Sequence, residues 1–211
     1  MNSITSFTID ELINKINSTE AMPGGGSVSA LVSGMAAGLC GMTAKLTLGK
    51  KGYEVVEGKM KDYIKKVDKL IEELKQLADE DPLAFGKVLK AYKLPKDAEE
   101  DIGIREKAIQ DALIDAALVP LEISEKSIEI IEIALLLIEE GNKNVIADGA
   151  GAAHLAYAAV QISVINAKIN IVSIKDEHMK QQIEDRTDKL IMEAESKKKK
   201  LVSAINNNIL S

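Results

Sequence analysis

The sequence predicts an all-α fold: a helical bundle of roughly seven helices, two of them central and rich in small residues. Three observations carry this. Apolar residues recur at three- and four-residue spacing through most of the 211 residues, the period of an amphipathic helix. Aromatic side chains make up 3% of the chain, with two Phe, four Tyr and no Trp, whereas strands enrich aromatic and β-branched residues. No strand-like alternation of polar and apolar residues breaks the helical pattern.

The elements follow in order. Thr8 and Glu11 in TIDE have capping-box spacing and open a short first helix ending near Ile16. NSTEAMPGGG reads as a loop, and Ser27 as the N-cap of a helix reaching about Leu48. GKKG, residues 49–52, breaks it. Val56, Met60, Tyr63, Val67, Leu70, Leu74 and Leu77 mark a long amphipathic helix over residues 53–78. Asp81 before Pro82 reads as N-cap plus first-turn proline of a shorter helix to about Tyr92. LPKDAEED is a loop, and a further helix starts near Glu99. Pro120 lies inside that helical stretch and is expected to kink or split it near Val119. Helix resumes through Ile138, with Gly141 as C-cap. After GNKNVIADG comes the second small-residue helix, residues 150–174, whose one charged side chain is Lys168. Asp176 caps the last helix, where Lys197 to Lys200 reads as a solvated run. No polar linker divides the chain, so residues 1–211 read as one domain.

Composition excludes several function classes. Apolar residues are 46% of the chain, enough for a sizeable core. A net charge of −6 and scarce aromatics argue against a nucleic-acid surface, which needs a basic face and stacking rings. Cys40 is the single cysteine, so no disulfide framework forms and nothing calls for an oxidising compartment. The N-terminal MNSITSFTID lacks a basic-then-apolar signal pattern. Residues 21–44 form an uncharged run of membrane-spanning length. It opens on PGGGS and is diluted by Gly, Ala, Ser and Thr, which favours a buried helix over a membrane span. Ala30, Gly34 and Gly38 fall four apart on it, a small-residue stripe suited to close helix packing, within the bundle or across a dimer interface. The expected protein works in the cytoplasm, off the membrane.

Conventional catalytic motifs are sparse. Two histidines and one cysteine cannot build a His/Cys metal cluster. GAGAAH at Gly149 lacks the strand that a dinucleotide fingerprint requires. Three features stand out. The glycines of PGGGS, ahead of a helix, either offer backbone N–H groups to a carboxylate or phosphate or form a tight entry turn. Asp81, with Asp79 and Glu80 beside it, is either a helix cap or a carboxyl whose pKa its neighbours raise for acid–base work. Asn166 and Asn170 share one face of a greasy helix and either satisfy loop backbone or read the edge of a bound heterocycle. His154 reads as a hydrogen-bonded core histidine, and Asn142, Asn144 and Asp148 as turn and cap residues.

The order PGGGSVSALVSGMAAGL, LTLGKKGYEVVE, DPLAF, LPKD, VPLEI, GNKNVIAD and INAKINI resembles the cyclodeaminase family of folate enzymes. That family includes the C-terminal domain of formiminotransferase-cyclodeaminase and stand-alone methenyltetrahydrofolate cyclohydrolases. The resemblance covers about residues 7–188 and implies an all-helical homodimer. It implies formimidoyltetrahydrofolate cyclodeaminase activity, with cyclohydrolase activity as the alternative and a non-catalytic helical scaffold as a third reading. DPLAF corresponds to the family's D-x-x-A-F segment, which assigns the catalytic aspartate to Asp81, with Asp79 as the alternative. Gly24, Gly25, Gly26, Ser27, Lys50, Lys51, Lys96, Asp148, Asn166 and Asn170 are implied to line or support the folate cleft. Lys50 and Lys51 would then meet the glutamate carboxylates of the folate. The resemblance implies no metal, no cofactor beyond the tetrahydrofolate derivative used as substrate, and no family histidine matching His154.

Overall fold

In the computed structural model, which describes residues 3–208, six α-helices and three 3₁₀ turns account for the regular structure, with no strand among the described residues. The helices are α1 (Ile9–Ile16), α2 (Gly25–Lys45), α3 (Glu57–Tyr92), α4 (Glu99–Glu140), α5 (Ile146–Ile171) and α6 (Glu177–Asn208). The small-residue helices α2 and α5 pack on each other in the middle of the bundle. They run antiparallel: Gly25 lies against Asn166, while Leu39 lies against Gly151. α3 covers α2, α4 touches α2, α3 and α5, and α6 lies across α4 and α5.

The centre is held by small side chains rather than bulk. α2 buries Ser29, Ala30, Ser33, Ala36, Ala37 and Cys40, which lets neighbouring backbones approach, and buried hydroxyls need partners. Ser163 Oγ donates to Ser29 Oγ at 2.7 Å and Ser29 Oγ to the Gly26 carbonyl at 2.7 Å. The Ser33 and Ser127 hydroxyls bond each other across α2 and α4. The scarcity of aromatics is thus the composition of a core built on close helix contacts. α2 is long and apolar enough to cross a membrane, yet 56% of its most apolar window is buried beneath α3 and α5. Gly34 and Gly38 belong to its other side, where an added Cβ meets nothing within 4 Å, so of the expected stripe only Ala30 packs inside the chain.

Local signals hold where the chain supplies its own caps. Thr8 and Glu11 form the capping box, with the Thr8 N–H donating to Glu11 Oε2 at 2.8 Å. Asp176 Oδ1 accepts from the N–H groups of His178 and Met179, each at 3.0 Å. GKKG breaks the chain with Gly49 at φ 67° and Gly52 at φ 93°, the left-handed region that glycine enters without strain. A Cβ at Gly141 would lie 2.5 Å from the Leu137 carbonyl.

Neither proline starts or splits a helix. Residues 57–92 form one helix with Pro82 inside it, and residues 99–140 form one helix with Pro120 inside it. An interior proline removes one main-chain bond and costs about 3 kcal/mol. Both rings are buried, Pro82 on α3 and Pro120 on α4, so packing outweighs that cost. Pro120 leaves the Ala116 carbonyl without its donor four residues on, and the Asn170 side-chain amide supplies one at 3.0 Å. Replacing Asn170 by Ala should therefore lower stability by about 1–3 kcal/mol, read as a shift in the urea midpoint. An unchanged midpoint would show that this carbonyl needs no protein donor.

Three smaller corrections follow. α5 begins at Ile146, so Asp148 sits inside the first turn instead of capping it. His154 is exposed on α5 and is no core histidine. Lys197 is not solvated: its side chain is 12% exposed and pairs with Glu132 at 2.6 Å and Glu193 at 3.4 Å.

Candidate active site

The start of α2 has a capping problem. Its N-cap is Gly24, which has no side chain to accept from the orphan N–H groups of the first turn. Ser27, expected as the cap, lies inside that turn. The acceptor comes from α3: Asp81 Oδ2 takes the Ser27 N–H at 3.0 Å and the Ser27 hydroxyl at 3.2 Å. Asp81 is a cap after all, but of a helix 54 residues away rather than its own. The partial positive charge of a helix start favours a carboxylate at this position. A Cβ on Gly26 would land on the Asp81 carboxyl, and one on Gly25 would come within 3.0 Å of Asn166 Nδ2. The glycines are therefore required by close approach, which is the entry-turn reading and the anion-cradle reading at once, with the anion supplied by the protein.

Beside this contact lies a cleft of about 280 Å³ lined by Met22, Gly24, Gly25, Gly26, Asp81, Phe85, Ala116, Pro120, Asn166, Ile169 and Asn170. Burial is the main influence on Asp81 and raises its pKa above the usual carboxylate range, while the two bonds from Ser27 oppose the shift. The carboxylate neighbours are not the cause. Glu80 is exposed, and Asp79, two positions along the helix, points elsewhere. Asp79 accepts from the Ile4 N–H at 2.6 Å and the Ser3 hydroxyl at 2.7 Å, tying the N-terminal 3₁₀ turn to α3. It does not line the cleft.

Asn166 and Asn170 stand on the opposite wall. Asn166 Nδ2 donates to the Ile162 carbonyl at 2.8 Å, so both amides serve backbone while also facing the cleft. The cleft thus joins one half-buried carboxyl, oriented by two donors, to two amides and the apolar surfaces of Phe85, Pro120 and Ile169. This is an arrangement that can take a proton and return it beside a flat, partly polar ligand.

The remaining expected residues lie away from it. Lys50 Nζ donates to Asn142 Oδ1 at 2.8 Å, and Asn142 donates to the Leu46 carbonyl at 2.9 Å, a clamp at the far end of α2. Lys51 is exposed beside it. At 1.5 Å per residue, α2 separates them from Gly25 by about 30 Å. Asp148 is similarly about 27 Å along α5 from Asn166. Lys96 is exposed in the α3–α4 loop. Sequence reasoning missed Phe85, Ala116, Pro120 and Ile169 as cleft walls. For Phe85 a signal existed, because DPLAF sets it one turn from Asp81 on the same helix face. Among the described residues no group of three or more His, Cys, Asp or Glu side chains could share a metal ion. A larger groove of about 490 Å³ between α4 and α6 is lined by Glu132, Leu136, Lys197 and Ser203, and there the Lys197 ammonium is already paired with Glu132.

The chain is similar to known proteins over most of its length. The chain is 31% identical over 202 residues to the methenyltetrahydrofolate cyclohydrolase of Methylorubrum extorquens, covering 96% of this chain and 97% of that one. It is 32% identical over 184 residues to the formimidoyltransferase-cyclodeaminase of Sus scrofa, covering 87% of this chain and 34% of that protein. It therefore spans about a third of the length of that larger relative. The crystal structure of formiminotetrahydrofolate cyclodeaminase from Thermotoga maritima superposes with a TM-score of 0.87 at 29% identity, covering 97% of this chain and 98% of that one. The formiminotransferase-cyclodeaminase family model matches residues 8–189, taking in every part of the cleft, and the chain belongs to that family.

Proposed function

We propose that this chain is a cytoplasmic folate one-carbon enzyme in which Asp81 carries the proton. The favoured reaction is cyclodeamination of 5-formiminotetrahydrofolate to 5,10-methenyltetrahydrofolate and ammonia. N10 attacks the carbon of the formimino group in its protonated, amidinium form and loses its proton to the Asp81 carboxylate. The carboxyl then returns that proton to the formimino nitrogen, which leaves as ammonia while the bridged methenyl cation remains. The observation carrying this is the Asp81 carboxyl itself, oriented by Ser27 on the wall of the cleft, with a pKa raised by burial. A carboxyl so tuned can serve as base and then as acid.

A second reading is favoured by the near full-length match to the Methylorubrum cyclohydrolase. In it Asp81 takes a proton from water as the water adds to the methenyl carbon, then gives it to N5 as the C–N5 bond breaks, while the remaining hydroxyl proton is released to solvent as the formyl C=O of 10-formyltetrahydrofolate forms. The same residues serve both reactions. Absorbance of the methenyl chromophore separates them: cyclodeaminase accelerates its appearance from the formimino compound, and cyclohydrolase accelerates its loss in water. A folded protein that changes neither rate would leave the non-catalytic scaffold.

The chain is further read as a homodimer. α2 exposes Met35 and Met42, with Leu46 at its C-cap, and α5 exposes Leu155 and Ile165, beside the open flank of Gly34 and Gly38. Exposed apolar side chains on these two packed helices suit an association face, and a second copy would cover them. A monomeric mass by sedimentation equilibrium would contradict this.

A further inference from the structure

Hydroxyls buried inside helices commonly turn back on their own chain. Thr43, Thr47, Ser124, Ser127 and Thr187 each donate to the carbonyl four residues earlier, as a hydroxyl in a helix interior can do. Ser163 on α5 departs from this. It is fully buried, and its Oγ donates across to Ser29 Oγ on α2 at 2.7 Å. Ser29, also fully buried, donates in turn to the Gly26 carbonyl at 2.7 Å. The direction of this chain is fixed. A carbonyl can only accept, so the Ser29 proton is committed to Gly26 and the Ser163 proton to Ser29. A second pair, Ser33 with Ser127, bridges α2 and α4 in a similar way but ends on the Ile123 carbonyl.

The Ser163 chain ends at Asp81. The Gly26 carbonyl and the Ser27 N–H are the two ends of one peptide unit, and that N–H donates to Asp81 Oδ2 at 3.0 Å. A peptide that accepts at its oxygen is polarised and donates more strongly at its nitrogen. The bond from Ser29 also fixes the tilt of the peptide plane, and with it the line of the N–H toward the carboxyl. Three helices are thus joined in sequence: α5 through Ser163, α2 through Ser29 and the Gly26–Ser27 peptide, and α3 through Asp81. Little else acts on this carboxyl electrostatically. Among the described residues no second titratable side chain lines the cleft. The charged groups next to its lining residues are engaged elsewhere or exposed. Asp79 accepts from Ser3 and Ile4, Glu80 is exposed, Asp115 on α4 pairs with Lys87, and Lys168 on α5 pairs with Asp188.

We propose that Ser163 and Ser29 are positioning residues for Asp81, acting through the Gly26–Ser27 peptide to hold its carboxylate in place, an inference that rests on Asp81 as the proton carrier. Neither hydroxyl lines the cleft, so neither meets the substrate, and their effect reaches the chemistry only through the Ser27 N–H. Burial raises the Asp81 pKa and the Ser27 bonds oppose that rise. A more strongly polarised Ser27 N–H opposes it more. Loss of either hydroxyl therefore moves the Asp81 pKa further up and loosens the carboxyl.

The test is the pH profile of kcat/KM, followed by the methenyl absorbance, for the wild type, Ser163→Ala and the control Ser127→Ala. The wild type should show an acid limb that Asp81→Asn lacks. Ser163→Ala should move that limb to higher pH and lower kcat about three- to tenfold, the worth of one hydrogen bond, with KM unchanged. Ser29→Ala, which cuts the chain one link nearer, should do the same. It carries the test if the thermal transition shows that Ser163→Ala does not fold. Ser127→Ala removes a comparable buried bond that ends elsewhere, and should lose thermal stability while keeping the wild-type limb. A limb at the same pH in Ser163→Ala and the wild type overturns the positioning role. So does an equal displacement in Ser127→Ala, which would mark a loss of packing alone. A wild type without an Asp81-dependent limb overturns Asp81 as the proton carrier, and the positioning role with it.

Discussion

Asp81→Asn should abolish most turnover while leaving the fold intact. The amide is nearly isosteric and its oxygen can still accept from the Ser27 N–H, now 3.0 Å from Asp81 Oδ2, so α2 keeps its cap. What is lost is proton transfer, which typically contributes about 10²–10⁴-fold, and kcat/KM should fall by that order. Stability should move the other way or not at all. Because burial raises the folded-state pKa of Asp81, its contribution to stability is full below the unfolded-state value and is lost as pH rises through the folded value. Above the unfolded-state value the raised pKa is therefore a liability, and the neutral amide should unfold at the same temperature as the wild type or higher. Such an exchange of activity for stability is what a functional carboxyl in a dry setting predicts. Turnover at the wild-type rate would remove Asp81 from the chemistry, and loss of folding would make it a structural cap alone.

Gly26→Ala should be nearly as damaging, for a steric reason. The methyl group would occupy the Asp81 carboxyl position. The carboxyl must then turn away from Ser27 and lose both of its hydrogen bonds. A misplacement near 1 Å can cost about 10²-fold in rate, and kcat/KM should fall at least that far. The overpacking cost of about 1–3 kcal/mol is offset in part by the better helix propensity of alanine. Activity should therefore suffer far more than thermal stability. Gly25→Ala is the internal comparison, since its methyl would meet only the end of the Asn166 side chain at 3.0 Å. Its rate loss should be clearly smaller. Equal losses would mean that the triple glycine acts through backbone freedom instead of through room for Asp81.

What the sequence reveals divides along the range of the interaction. Thr8 with Glu11, Asp176 and Gly49 with Gly52 are each satisfied within a few residues, and each appears where the pattern predicts. Asp81 before Pro82 has an equally good local pattern, yet the carboxyl serves a helix far away in sequence. A helix start made of Gly24, Gly25 and Gly26 has no capping side chain of its own and so requires one from elsewhere. Asp81 and PGGGS were two separate oddities in the sequence and are one contact in the fold. Pro120 illustrates the same limit, because its missing donor is replaced by Asn170 from another helix. Lys50 and Lys51 are ligand residues by the family resemblance, which pairs them with the carboxylates of a folate. A straight helix of 21 residues then separates them from the glycine-rich start.

The pH dependence of kcat/KM, measured on the wild type after subtraction of the uncatalysed rate, tests Asp81 as the proton carrier most directly. The carboxylate form is the base, so activity must fall on the acid side as Asp81 protonates. Its raised pKa moves that fall above the ordinary aspartate value of about 3.9. The expected result is an acid limb displaced upward from that value, and missing from the residual activity of Asp81→Asn. Full activity persisting down to the ordinary carboxylate range, or an acid limb unchanged in Asp81→Asn, would contradict it.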